Sequence, residues 1–273
     1  MLSGPGELLL ALLAAFCIGM SKAGFSGISL ISVFIMAELY GVVPSTGIVL
    51  PLLIFADVAV YPAFKKYGSW KPVWSLLPAT VVGLAVGWWL LGVITSEPVA
   101  RRMIGGCILG MVLLQALRIW KPVLSDRLAH SRSFGTAAGV AGGITTMLAN
   151  AAGPVIQLYL LSRRLPKMEL LGIGARFFLL VNIMKLPLSG SLNLITPVTL
   201  MDNAKCVPGV VAGILIGKWL IQRVSQRVFE WMVISFAVLA AGRLLFFTPD
   251  QHRSRPAAVI QFLPVLESEQ GQE

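Results

Sequence analysis

Charge is scarce in this sequence, with Asp, Glu, Lys and Arg together making 12% of the 273 residues, about half the share of an ordinary soluble domain. The chain therefore cannot clothe itself for water. Histidine occurs only as His130 and His252, both in polar stretches, so a nucleophile within an apolar segment would lack the usual base. Cys17, Cys107 and Cys206 are scattered and odd in number. They form neither a disulfide framework nor a metal-ligand cluster, and read as packing or lipid-facing residues. No Walker-type phosphate loop is present, which excludes ATP-driven work by this chain alone. The start of the chain lacks the basic region and small-residue cleavage site of a secretory signal, so Leu8 onward is read as mature structure.

What the chain has instead is apolar surface: 56% apolar residues and a mean hydropathy of +0.82. The expected fold is an all-α polytopic membrane protein with about eight hydrophobic segments. The formal charge of +10 falls mostly in short loops, where Lys and Arg set topology rather than attract nucleic acid. Spanning segments are expected at Thr46–Phe64, Val73–Thr95, Val99–Trp120, Gly172–Leu188, Lys205–Ile221 and Phe229–Phe247. Residues 248–273 form a polar, Pro-containing tail that is expected to be disordered.

Two further apolar segments are interrupted. Leu8–Ile18 and Ile28–Ala37 flank Gly19–Gly27, which carries Ser21, Lys22, Gly24 and Ser26. Each run is too short to cross alone, since a spanning helix takes ~20 residues. Backbone freed from a helix at membrane depth is tolerated where protein buries it or where it lines a wet cavity. In the second half, Phe134–Met147 and Val155–Leu161 flank Asn150-Ala-Ala-Gly153-Pro154. The two interruptions are the expected substrate site.

The halves resemble one another. Leu77–Leu90 aligns without a gap on Val207–Leu220, sharing Pro-x4-Gly-x3-Gly-x-Trp-Leu, and working backwards Pro62 falls on Pro187, Asp57 on Asn182, Gly47 on Gly172 and Gly27 on Gly153. Two pseudo-symmetric repeats are expected, residues 1–133 and 134–247, the first segment of each broken or re-entrant. If the broken segments re-enter, Lys and Arg gather on one side and the repeats are inverted. If they cross, the charge bias is weak. Sequence leaves both arrangements open.

Lys22 at membrane depth needs a partner or a wet site and reads as the attractor of an anion, against a structural role. Asp57 either carries a proton or neutralises Lys22 or Lys185. Arg176 and Lys185 stand two and a half turns apart on opposite faces, so they do not clamp one ligand. Asn150 and Asn182 can hydrogen-bond an oxyanion or a partner helix. Gly24-Phe25-Ser26-Gly27 matches the GxSG around the nucleophile of rhomboid proteases, which makes an intramembrane serine enzyme centred on Ser26 one alternative. A passive anion channel is another.

The glycine-rich break in the first apolar segment, the Asn150–Pro154 break opening the second half, and the Pro-x4-Gly-x3-Gly segment in each half resemble the sulfite exporter TauE/SafE family over roughly residues 8–247. The resemblance implies a secondary transporter, not an enzyme, moving sulfite, sulfoacetate or related small anions across the bacterial inner membrane, coupled to an ion gradient. A small anion and the bilayer are the expected partners, self-association is left open, and no cofactor or metal is expected.

Overall fold

The computed structural model describes residues 4–25, 28–94, 96–120, 132–162 and 165–220, with positions 223, 238 and 242. The expected last span, most of Phe229–Phe247, and the tail lie outside these residues. Nine helices are described: α1 Pro5–Lys22, α2 Ser29–Tyr40, α3 Val42–Phe64, α4 Lys71–Val93, α5 Glu97–Trp120, α6 Arg132–Ala149, α7 Gly153–Ser162, α8 Lys167–Ser191 and α9 Pro197–Leu220. No strand occurs among the described residues. Five helical stretches, Pro5–Lys22, Val42–Phe64, Lys71–Val93, Met168–Ser191 and Pro197–Leu220, are long and apolar enough to cross a membrane.

The interruptions are narrower than the sequence suggests. Helix α1 runs on through Gly19, Met20, Ser21 and Lys22 before α2 begins at Ser29, and α6 runs on to Ala149 before α7 begins at Gly153. Gly19 does not break α1 because its role is packing. A Cβ there would strike the Val210 carbonyl of α9. The backbone turns instead at Gly24, φ 122°, and Asn150, φ 51°, both residue types that tolerate the left-handed region. Gly153 and Pro154 belong to the first turn of α7, where proline loses no helical hydrogen bond.

Each interrupted segment folds back as a hairpin. In the second, a Cβ on Gly135 of α6 would lie 3.1 Å from the Tyr159 ring of α7, and one on Gly142 2.9 Å from Ile156, so the arms are antiparallel. In the first, α2 ends at Tyr40, whose hydroxyl donates to Asp202 in the early turns of α9 (3.4 Å). Helix α1 runs parallel to α9, since Gly209 meets Leu12, Gly213 meets Phe16 and Gly217 meets Met20 and Ala23. The end of α2 thus returns to the level where α1 begins.

Glycine sets the other close approaches. Gly83 and Gly87 of α4 meet Val140, Gly143, Ile144 and Met147 of α6, while Gly139 and Gly143 of α6 meet Leu76, Ala79, Thr80 and Gly83. Small residues at this spacing let backbones touch, which is how apolar helices associate where lipid removes the hydrophobic drive between them. The glycine motif that α4 and α9 share in sequence therefore holds α6 against α4 and α1 against α9. At the centre α3 and α8 are antiparallel. Gly47 of α3 meets Leu194 beyond the end of α8, and Gly172 of α8 meets the Phe64 and Tyr67 carbonyls at the end of α3.

Candidate functional site

The two glycine contacts at either end of the α3–α8 crossing bring Asp57 and Asn182 face to face. Asp57 is fully buried and Asn182 nearly so, and the Asn182 amide donates to Asp57 Oδ2 at 2.7 Å. Into the same place comes the last turn of α1, with Lys22 Nζ 2.7 Å from Asp57 Oδ1. This is an ion pair rather than an aligned hydrogen bond, for Oδ1 accepts none of ordinary geometry. Lys22 also lies over the Phe178 ring of α8, 4.8 Å from its centroid. An ammonium is well placed there, at the carbonyl end of its own helix and on an aromatic face.

One turn along α8 from Asn182, Lys185 reaches the second hairpin. Its Nζ, buried with the rest of the side chain, donates to the Thr146 carbonyl at 2.7 Å and to Asn150 Oδ1. Asn150 Nδ2 in turn donates to the Thr46 carbonyl of α3 at 3.1 Å. Each hairpin thus ends on a lysine, Lys22 supplied by α1 itself and Lys185 supplied by α8. The helix ends at each tip largely cancel, because one arm brings a carbonyl end and the other an amide end. The side-chain charges do not cancel. Two lysines stand against the single carboxylate of Asp57.

The structure thus joins Lys22, Asp57 and Asn182 in one cluster and Lys185 and Asn150 in the next. Ser21 and Gly24 are half-buried beside Lys22, Gly153 is half-buried and Pro154 buried at the start of α7, and no Cβ contact would crowd Gly153. Ser26 and Gly27 lie outside the described residues, as do His130 and His252. Arg176 is placed elsewhere. Its guanidinium donates to the Lys65, Tyr67 and Gly172 carbonyls and lies 5.5 Å from the Trp70 ring centroid, capping the end of α3. Among the described residues no group of three or more His, Cys, Asp or Glu is placed to hold a metal.

Sequence reasoning missed Thr46 and Thr146, whose contribution is mainly the backbone carbonyl, invisible in a residue's identity. It also missed two links that hold the end of α2: Arg101 of α5 to Glu38 at 3.0 Å, and Tyr40 with Lys205 on Asp202, the lysine at 3.1 Å.

Stacked apolar helices closing around two lysines and an aspartate define an integral membrane protein built to hold charge at depth. The chain belongs to the sulfite exporter TauE/SafE family, a family of membrane transporters, whose model matches residues 11–244. Neither the curated proteins nor the solved structures gave a match.

Proposed function

We propose that the chain is a secondary transporter of small anions, sulfite and sulfonates such as sulfoacetate among them, driven by an ion gradient across the bacterial inner membrane. The observation that carries this is the charge imbalance at the hairpin tips, Lys22 and Lys185 against Asp57. An uncompensated ammonium at bilayer depth costs ~2.5–3.5 kcal/mol on insertion scales, and a bound oxyanion removes that cost. The anion would meet Lys22, Ser21 and Gly24 on one hairpin, and Asn150, Gly153 and Pro154 on the other. Asn182 and Lys185 would hold the site from α8, and Ser26 and Gly27 extend the first break in sequence. The family's established transport role supports this over a serine enzyme.

The architecture we propose is two inverted repeats, each a re-entrant hairpin followed by three spans, making about eight hydrophobic segments in all. Several features support it. Asp57 and Asn182 are 125 positions apart, and nearly the same step relates the left-handed positions Gly24 and Asn150, and Gly68 and Asn193. The α1–α9 and α4–α6 contacts are counterparts under that step, and α3 and α8 cross antiparallel at the midpoint. The loops holding Lys65, Lys66, Arg163, Arg164 and Arg223 then share the cytoplasmic side, and both termini lie opposite.

Purified protein in proteoliposomes tests the function. Saturable uptake of sulfite or sulfoacetate that follows an imposed pH gradient supports it, gradient-independent and non-saturating flux favours a channel, and no flux at all removes it.

A further inference from the structure

The two hairpin tips are secured by different chemistry. The second is held by the Asn150 amide, which keeps its charge state at any physiological pH, bridging Lys185 and the Thr46 carbonyl. The first is held by the Lys22–Asp57 ion pair, and an ion pair can be broken by a competing anion or by a proton. The first tip carries a contact that both transported species can exchange, the anion at Lys22 and the proton at Asp57.

We infer that Asp57 binds the coupled proton, and that it does so by exchange: the anion takes Lys22, and the carboxylate left behind takes a proton. This rests on the transport reading above and names the group that couples it. The surroundings of Asp57 leave few alternatives. The charged groups acting on it are Lys22 from α1 and Lys185 from α8, with the neutral amide of Asn182 beside it. Its neighbours Ala56 and Val60 belong to an apolar cluster with Ile18 of α1, Met36 of α2, and Cys206, Val210 and Ile214 of α9. On α6, the residue that meets Lys185 is Thr146, which is uncharged. Once an anion holds Lys22, Asp57 keeps one amide donor, and Lys185 remains committed to Thr146 and Asn150. A buried carboxylate without a paired cation carries a large desolvation penalty. Taking a proton removes that penalty.

The step balances without a co-reactant. One O–H bond forms at an Asp57 oxygen with a proton from the aqueous side, and the Lys22–carboxylate contact is replaced by a Lys22–anion contact. With both lysines protonated, Lys22, Lys185 and Asp57 sum to one positive charge before binding. After it, a doubly charged anion with one proton leaves the site neutral. The first hairpin tip then loses its ion pair to α3, while the second keeps its bonds to Lys185 and Thr46.

The experiment is calorimetric titration of the purified full chain with sulfoacetate at and above about pH 7, where both acid groups of the ligand are ionised, in buffers of differing ionisation enthalpy. The expected result is close to one proton taken up per anion bound, with affinity falling about tenfold per pH unit on the alkaline side. Asp57→Asn, checked for folding by gel filtration, is expected to bind with no proton uptake and little pH dependence. If that variant does not fold, Lys185→Gln decides the matter: retention of the proton uptake leaves Asp57 as its site, and loss of it overturns the inference. Binding without proton uptake by wild type, or equal uptake by Asp57→Asn, overturns the inference and leaves the transport reading standing. Failure of wild type to bind either sulfoacetate or sulfite removes the transport reading, and this inference with it.

Discussion

Asn182 donates to Asp57 at 2.7 Å where α3 crosses α8, and the two residues stand 125 positions apart in the chain. A carboxylate at both places would set like charges in contact, and an amide at both would leave Lys22 unpaired. One of each gives the centre a single negative charge and a neutral donor to orient it.

Removing the charge of Lys22 should therefore act twice. Lys22→Gln leaves Asp57 buried without its cation, and breaking a buried pair this way costs ~3–5 kcal/mol, read as a lower unfolding temperature in detergent. Anion affinity should fall ten- to a hundredfold, the equivalent of ~1–3 kcal/mol. The double change Lys22→Gln with Asp57→Asn should recover much of the stability and none of the affinity. Recovery of affinity in the double variant would place the anion away from Lys22.

Asn150→Asp is the complementary test, because it adds a carboxylate beside Lys185 and cancels the surplus positive charge. Aspartate also tolerates the left-handed backbone at φ 51°. The ion pair gained with Lys185 offsets only in part the donor lost to the Thr46 carbonyl, so a moderate loss of stability is expected, while anion affinity falls at least tenfold in a direct binding titration. Unchanged affinity would mean that the net charge of the tips does not govern binding.

The glycine contacts predict a graded stability series. Gly213→Ala puts a methyl against the Phe16 carbonyl and 3.0 Å from the Met20 amide, both backbone, so relief requires α1 and α9 to separate at about 1–3 kcal/mol. Gly106→Ala on α5 meets nothing within 4 Å and should leave the unfolding temperature essentially unchanged or slightly raised. Similar losses in both would show that the glycines serve the helix backbone rather than the helix contact.

Much of this was legible in the sequence. The paired glycine motifs at Pro78–Gly87 and Pro208–Gly217 reveal themselves because close backbone approach admits so few residue types, though their partners, α6 and α1 of the opposite halves, could not be read from them. Lys22, Asp57, Asn182 and Lys185 stand out because polar groups are costly in an apolar run. Which lysine pairs with Asp57 was not legible, since it depends on how far helix α1 persists before turning. Gly19 looked like the start of a break, yet its lack of a side chain serves the contact with α9, and the turn comes later at Gly24. The Thr46 and Thr146 carbonyls are available at any residue type, so no sequence signal marks them.

Topology has its own test. In a background lacking Cys17, Cys107 and Cys206, single cysteines at Gly4 and Ser96 should both react with an impermeant reagent applied to intact cells, and one at Lys66 should not. Re-entrant hairpins put the first two positions on one side. Labelling of Gly4→Cys and Ser96→Cys from opposite sides would mean that α1 and α2 together cross the membrane.

The central claim, that surplus positive charge at the hairpin tips carries an anion across the bilayer, is tested most directly by sulfite uptake into proteoliposomes containing wild type or Asn150→Asp protein checked for folding by gel filtration. Wild type should take up sulfite saturably, with accumulation that follows an imposed pH gradient, and Asn150→Asp at equal incorporation should lose at least nine-tenths of that uptake. Uptake by Asn150→Asp equal to that of wild type would contradict it.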